Sequence, residues 1–113
     1  MPTLILPTAS LQYTVGTALT DTATTTVQRA GVRTSFLLAG TMSQGETITL
    51  GTTGAVAGDL IKIIRTSVSA QTCAIVNGGA GAGTLFTMPA SKVNFFVAQF
   101  NGTNWLVDMM GTN

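Results

Sequence analysis

From Arg33 to Met109 the chain is divided into seven short β-rich runs, and nowhere does it carry an apolar repeat of 3.6 residues over a helical length. The runs are Arg33 to Ala39, Glu46 to Leu50, Leu60 to Thr66, Thr72 to Asn77, Thr84 to Met88, Asn94 to Phe100 and Asn104 to Met109. Between them lie Ser43-Gln44-Gly45, Gly51 to Gly58 and Asn77 to Gly83, which supply the backbone freedom that tight turns require. Seven strands at this spacing predict an all-β fold: a single antiparallel β-sandwich or barrel-like domain over residues 31–113. With 113 residues the chain supports one such domain and one loose arm.

The last two runs are the clearest element. Phe96, Ala98 and Phe100 share one face of their strand, and Trp105, Val107 and Met109 share one face of the next. Asn101-Gly102 between them favours a tight turn with positive φ at both central residues, so a hairpin is expected. Phe95, Val97 and Leu106 are apolar on the opposite face. Both faces of the hairpin therefore need cover, one from the domain core and the other from a partner. Trp105 directly after the turn is expected as a core anchor, and with Tyr13 it is also the only non-Phe aromatic platform for a sugar.

Residues 1–30 read differently. Pro2 and Pro7 bracket Thr3 to Leu6, and a Thr-rich stretch follows with Asp21 as its only charge, which predicts an extended N-terminal arm. Leu4, Ile5, Leu6, Leu11, Tyr13 and Val15 are too apolar for a solvated tail, so the arm is expected to dock on its own domain or on a neighbour.

Charge is scarce. Asp, Glu, Lys and Arg make up 8% of the chain against about 25% in a usual protein, while the mean hydropathy is +0.44. A folded chain of 11.6 kDa exposes roughly 5,800 Å², which leaves about one charge for every 650 Å². Uncharged Thr, Gln, Asn and Ser can keep a surface wet, but a net charge of only +1 also promotes association. The reading preferred is that neighbouring subunits cover much of the surface. Arg29, Arg33, Lys62, Arg65 and Lys92 are scattered, so no nucleic-acid partner is expected. No apolar stretch approaches a membrane span and the first residues lack the pattern of a secretion signal, so no membrane partner is expected and export would be as part of a particle.

The residues for most site chemistry are missing. There is no His, and Cys73 stands alone within Cys73-Ala74-Ile75-Val76 as a buried thiol, so no catalytic, metal or cofactor site is expected. The carboxylates Asp21, Glu46, Asp59 and Asp108 show no spacing that recommends a catalytic pair. Asn77 to Gly83 fits no phosphate-loop pattern and reads as a flexible loop, while Asn101-Gly102-Thr103 reads as a turn rather than a glycosylation acceptor. Asp59 after Gly58 is placed to close a turn through its side chain, with Lys62 and Arg65 as solvent-side or interface charges.

Three segments carry a resemblance: Gly58-Asp59-Leu60-Ile61-Lys62-Ile63, Cys73-Ala74-Ile75-Val76-Asn77-Gly78-Gly79 and Phe100-Asn101-Gly102-Thr103-Asn104-Trp105-Leu106-Val107. Over about residues 45 to 109 the chain resembles a β-module of tailed-bacteriophage virion proteins, most closely small capsid decoration or cement proteins. The resemblance implies a non-enzymatic homotrimer on the outer capsid surface of the virion, with the major capsid protein as its partner. It implies as alternatives a tail-fibre, head-fibre or baseplate module and, third, a carbohydrate-binding adhesin-like module.

Overall fold

A computed structural model describes residues 12–39, 41–66 and 70–112. The described chain is all-β and forms nine strands: β1 (Thr14–Val15), β2 (Thr24–Val27), β3 (Arg33–Leu38), β4 (Glu46–Leu50), β5 (Leu60–Arg65), β6 (Cys73–Asn77), β7 (Gly83–Met88), β8 (Asn94–Phe100) and β9 (Trp105–Thr112). β3 to β9 coincide with the seven runs read from the sequence. Two sheets result, one ordered β1-β3-β5-β8-β9 and the other β2-β4-β6-β7.

The antiparallel expectation is corrected. β1, β3 and β5 pair in parallel in one sheet, as do β2, β4 and β6 in the other, and among the described residues only the β5/β8, β8/β9 and β6/β7 pairs are antiparallel. The chain crosses from sheet to sheet at each step from β1 to β6, so every strand lands beside the one two places earlier. Parallel neighbours need a long crossover, and here the crossover contains a strand of the opposite sheet. The extended stretch expected over residues 1–30 is divided by this winding. Thr14–Val15 and Thr24–Val27 are strands, Leu19 and Val27 join the core, and Leu4, Ile5, Leu6 and Leu11 lie outside the described residues.

Alternation decides which side chains face inward. In the first sheet the registered rows are Thr34, Ile61 and Ala98, then Phe36, Ile63 and Phe96, then Leu38, Arg65 and Asn94. In the second they are Val27, Leu50 and Asn77, then Ile48, Ile75 and Phe86, then Glu46, Cys73 and Met88. The middle rows meet across the core, where the rings of Phe86 and Phe96 stack with centroids 5.9 Å apart. Each fully buried aliphatic or Phe side chain contributes roughly 1.5–3 kcal/mol, so Ile48, Ile61, Ile63, Ile75 and Phe96 anchor the two sheets to each other.

The two ends of this core are polar, and both close loops. At one end Arg65 is fully buried, a correction to its expected place as a solvent-side or interface charge. It faces inward because it follows Ile61 and Ile63 by the two-residue strand period. Its guanidinium donates to the carbonyls of Gln71 (2.7 Å), Pro89 (2.5 Å) and Lys92 (3.1 Å) and so holds two connecting segments against the barrel of apolar side chains. At the other end Asn77 binds the Gly-rich loop to the last hairpin. Its Nδ2 donates to Gly81 O and Asn104 Oδ1, and its Oδ1 accepts from the backbone amides of Gly79 and Trp105. The loop expected to be flexible is thus pinned, and a Cβ at Gly79 would collide with the Thr103 carbonyl oxygen.

Candidate interaction surface

The hairpin that forms the surface begins in the core. Trp105 has no exposed surface, packs its ring 5.0 Å from that of Phe100, and donates from Nε1 to Gly51 O at 3.0 Å. The connection from β8 to β9 is a four-residue loop. Asn101 Oδ1 accepts from the Thr103 and Asn104 amides, and only Gly102 takes a positive φ, +103°, instead of the pair of positive values expected at Asn101-Gly102. A side-chain acceptor thereby does the work assigned to the second left-handed residue.

Beyond Trp105 the two strands part in character. The register shifts between Val97 and Ala98, so that Ala98 faces Val107 while Val97 faces Met109, and Asp108 is the extra residue. This shift turns Met109 off the inward face that it was expected to share with Trp105, whereas Val107, which precedes the extra residue, stays on that face opposite Ala98. Val107 and Met109 are 41% and 54% exposed, and Leu106 and Met110 are 50% and 53% exposed. Val97, expected on the face needing cover, is buried, whereas Phe95 is partly exposed with its ring lying over Gly111. Phe95 and Gly111 are register partners, and an aromatic laid over a strand glycine restores cover that the glycine cannot supply.

β9 is also the edge of its sheet, so one side of its backbone has no strand partner among the described residues. Edges of soluble proteins are usually blunted by Lys, Pro or brevity. β9 has eight residues, no Lys, no Pro and one charge, Asp108. At about 3.3 Å per residue the edge is roughly 26 Å long. A shallow depression of about 400 Å³ beside Leu106 and Val107, walled by Ala57 and Gln99, extends the apolar area past the start of the strand.

At the opposite edge of the same sheet stands β1, with Val15 81% exposed. Between β1 and β2, the first strands of the two sheets, a groove of about 560 Å³ opens toward Leu19, Val27 and Phe36. Tyr13 lies half-buried on its own sheet, with the Lys62 ammonium 4.1 Å from its ring centroid, a cation–π contact.

Several carboxylates and the Cys73 thiol lie outside this surface. Asp59 Oδ2 accepts from the Val56 amide at 2.8 Å, the turn closure expected of it, and its carboxylate takes Arg29 Nε at 2.9 Å and a second guanidinium nitrogen at 3.3 Å. Asp21 accepts from the Ser43 amide, and the Ser43 contacts hold its carboxyl below the ordinary value of 3.8. Glu46 is buried, and among the described residues neither carboxylate oxygen has a well-formed hydrogen bond, the Thr22 amide being its nearest donor. Burial raises its carboxyl above the ordinary 4.5, the Thr22 amide pulls it partly back, and the charge of Asp21 adds to the rise. Cys73 is buried and its thiol is pushed up to about 12, first by burial and then by Glu46, with Arg65 opposing. Among the described residues no three His, Cys, Asp or Glu side chains gather as metal ligands, and no helix is long and apolar enough to cross a membrane.

The β9 edge was half legible in the sequence. Alternation places Phe95 and Leu106 on the face that needs cover and Val107 and Met109 with Trp105; the outward turn of Met109 follows from a bulge that strict alternation does not anticipate, and the exposure of Val107 from its place on an edge strand. No family model, curated protein or solved structure matches the chain.

Proposed function

We propose that the chain is a non-enzymatic structural subunit of a virus particle, a capsid decoration protein that sits as a homotrimer on the outer head surface and holds neighbouring major capsid subunits together. The observation that carries the reading is the β9 edge: an eight-residue strand with four half-exposed apolar side chains and one charge, on a chain with only nine charged residues. A monomer that works alone does not keep such an edge free, because its backbone groups and apolar side chains recruit other chains. Work of this kind requires no reaction chemistry. Several modest contacts made at once by a multivalent subunit resist separation far better than any one of them. The apolar residues Leu4, Ile5, Leu6 and Leu11 add a contact with the capsid in this reading.

One observation favours the second reading, a tail-fibre, head-fibre or baseplate module. The parallel winding adds one strand to each sheet per turn, a geometry that extends along an axis as a shaft does. Copy number separates the two. Densitometry of purified particles should show this chain in amounts comparable with the major capsid protein, and purified protein should bind capsids that lack it. A few copies per particle would favour the fibre or baseplate, and no binding to any capsid would contradict decoration. Removing residues 2–11 should lower capsid occupancy while leaving the subunit folded.

A further inference from the structure

The two-sheet stack is unfinished at both ends. One end presents the β9 edge, and the other presents the groove between β1 and β2. We propose that copies of this chain associate head to tail, with β9 of one copy seated along the β1 and β2 end of the next. The inference deepens the assembly reading above and rests on it only for the claim that β9 is covered by another subunit.

Three observations select this occupant. Direction comes first. β9 is antiparallel to β8, which is antiparallel to β5, so β9 runs the same way as β5, β3 and β1. Laid beside β1 of a second copy in the same orientation, it continues the parallel pairing from which that sheet is built.

Charge comes second. The groove is lined by Thr, Ala, Gly, Gln and aliphatic residues with Phe36, and none of its lining residues is charged. β9 brings only Asp108, so the contact strips water from almost no ions.

The third is economy of cover. A two-fold pairing of β9 with β9 hides one end and leaves Val15 and the groove over Phe36 open, whereas a head-to-tail contact covers both ends with a single interface. Each copy then has two faces in contact, one as donor and one as acceptor. A repeated heterologous contact closes into a ring where the rotation between copies permits and otherwise runs on as a filament. The homotrimer of the proposed function is the ring solution.

The test is disulfide trapping with single-cysteine probes at the two ends. Val15→Cys is made in one batch and Met109→Cys in another, with Val107→Cys and Met110→Cys to sample neighbouring registers. Both positions are exposed, and the native Cys73 is buried and silent, so each variant should keep the wild-type circular dichroism and melting curve. Under mild oxidation the mixture should give a covalent dimer that neither variant gives alone, and a chain carrying both cysteines should give closed covalent oligomers. Dimers from Met109→Cys alone would overturn the proposal in favour of two-fold β9 pairing. Absence of any mixed dimer at all three registers would also overturn it. So would Val15→Cys shielded from a thiol reagent in a monomer, the result expected if the chain's own N-terminal residues fill the groove. Capsid binding is scored separately: variants that bind capsids yet never cross-link overturn the head-to-tail geometry and leave the decoration reading standing.

Discussion

β8 and β9 are neighbours in one hairpin and are similarly apolar, yet five of the seven residues of β8 are buried while β9 buries only Trp105 among Trp105 to Met110. The difference is position. β8 has strands on both sides and a facing sheet, whereas β9 has, among the described residues, a partner strand on one side only, and Leu106, Val107, Met109 and Met110 stay half-exposed. Composition therefore states how much apolar surface must be hidden, and topology states whether the chain can hide it alone.

Substitutions one residue apart should expose this contrast most strongly. Trp105→Ala should cost about 4 kcal/mol by removing a fully buried ring and the donor to Gly51 O, while Leu106→Ala should cost under about 0.5 kcal/mol, both read from urea denaturation midpoints. Equal losses would mean that Leu106 is already covered within the monomer.

Arg65→Ala should come next, at about 3 kcal/mol, because it removes the guanidinium donor from the carbonyls of Gln71 and Pro89 in the interior and leaves Lys92 O with Asn94 Nδ2 alone. The same denaturation series checks it, and a loss below about 1 kcal/mol would mean that water reaches those carbonyls.

Glu46 sharpens the comparison from the other side, since it is a charge hidden in the covered region. Its raised carboxyl binds a proton more tightly folded than unfolded, so the stability it contributes is full below the ordinary value of 4.5 and is lost as the pH rises through its elevated folded value. Glu46→Gln should therefore be more stable than wild type at neutral pH, and the gap should shrink as the pH falls toward 4.5. Asp21 acts with the opposite sign: its lowered carboxyl stabilises above 3.8, and that contribution fades as the pH falls. Thermal melts of both proteins across this range check the sign.

The smallest expected effect is chemical. Cys73, buried and with its thiol pushed up to about 12, should resist alkylation in the native protein at neutral pH and react once the protein is unfolded.

The positions of the strands were legible because alternation and glycine breaks are local signals, and β3 to β9 sit where Arg33 to Met109 placed them. Pairing direction was not. Alternation is the same in parallel and antiparallel strands, and short connections such as that from Leu38 to Glu46 suggest hairpins even though they cross to the facing sheet. Arg65 was misread for a related reason. The strand period of β5 places it inward against the usual exposure of arginine, and the three carbonyls that receive it there come from connecting segments outside the strand. The interaction surface was legible in kind, as an apolar hairpin face in a chain poor in charge. Its extent depended on the bulge at Val97 and Ala98, which no turn residue announces.

Sedimentation of the purified chain beside Met109→Lys tests the central claim most directly. The wild type should sediment as an oligomer, and Met109→Lys, carrying a charge at an exposed point of β9, should sediment as a folded monomer with the wild-type circular dichroism spectrum and a melting temperature that no longer depends on protein concentration. A wild-type protein that stays monomeric at high concentration would contradict the account.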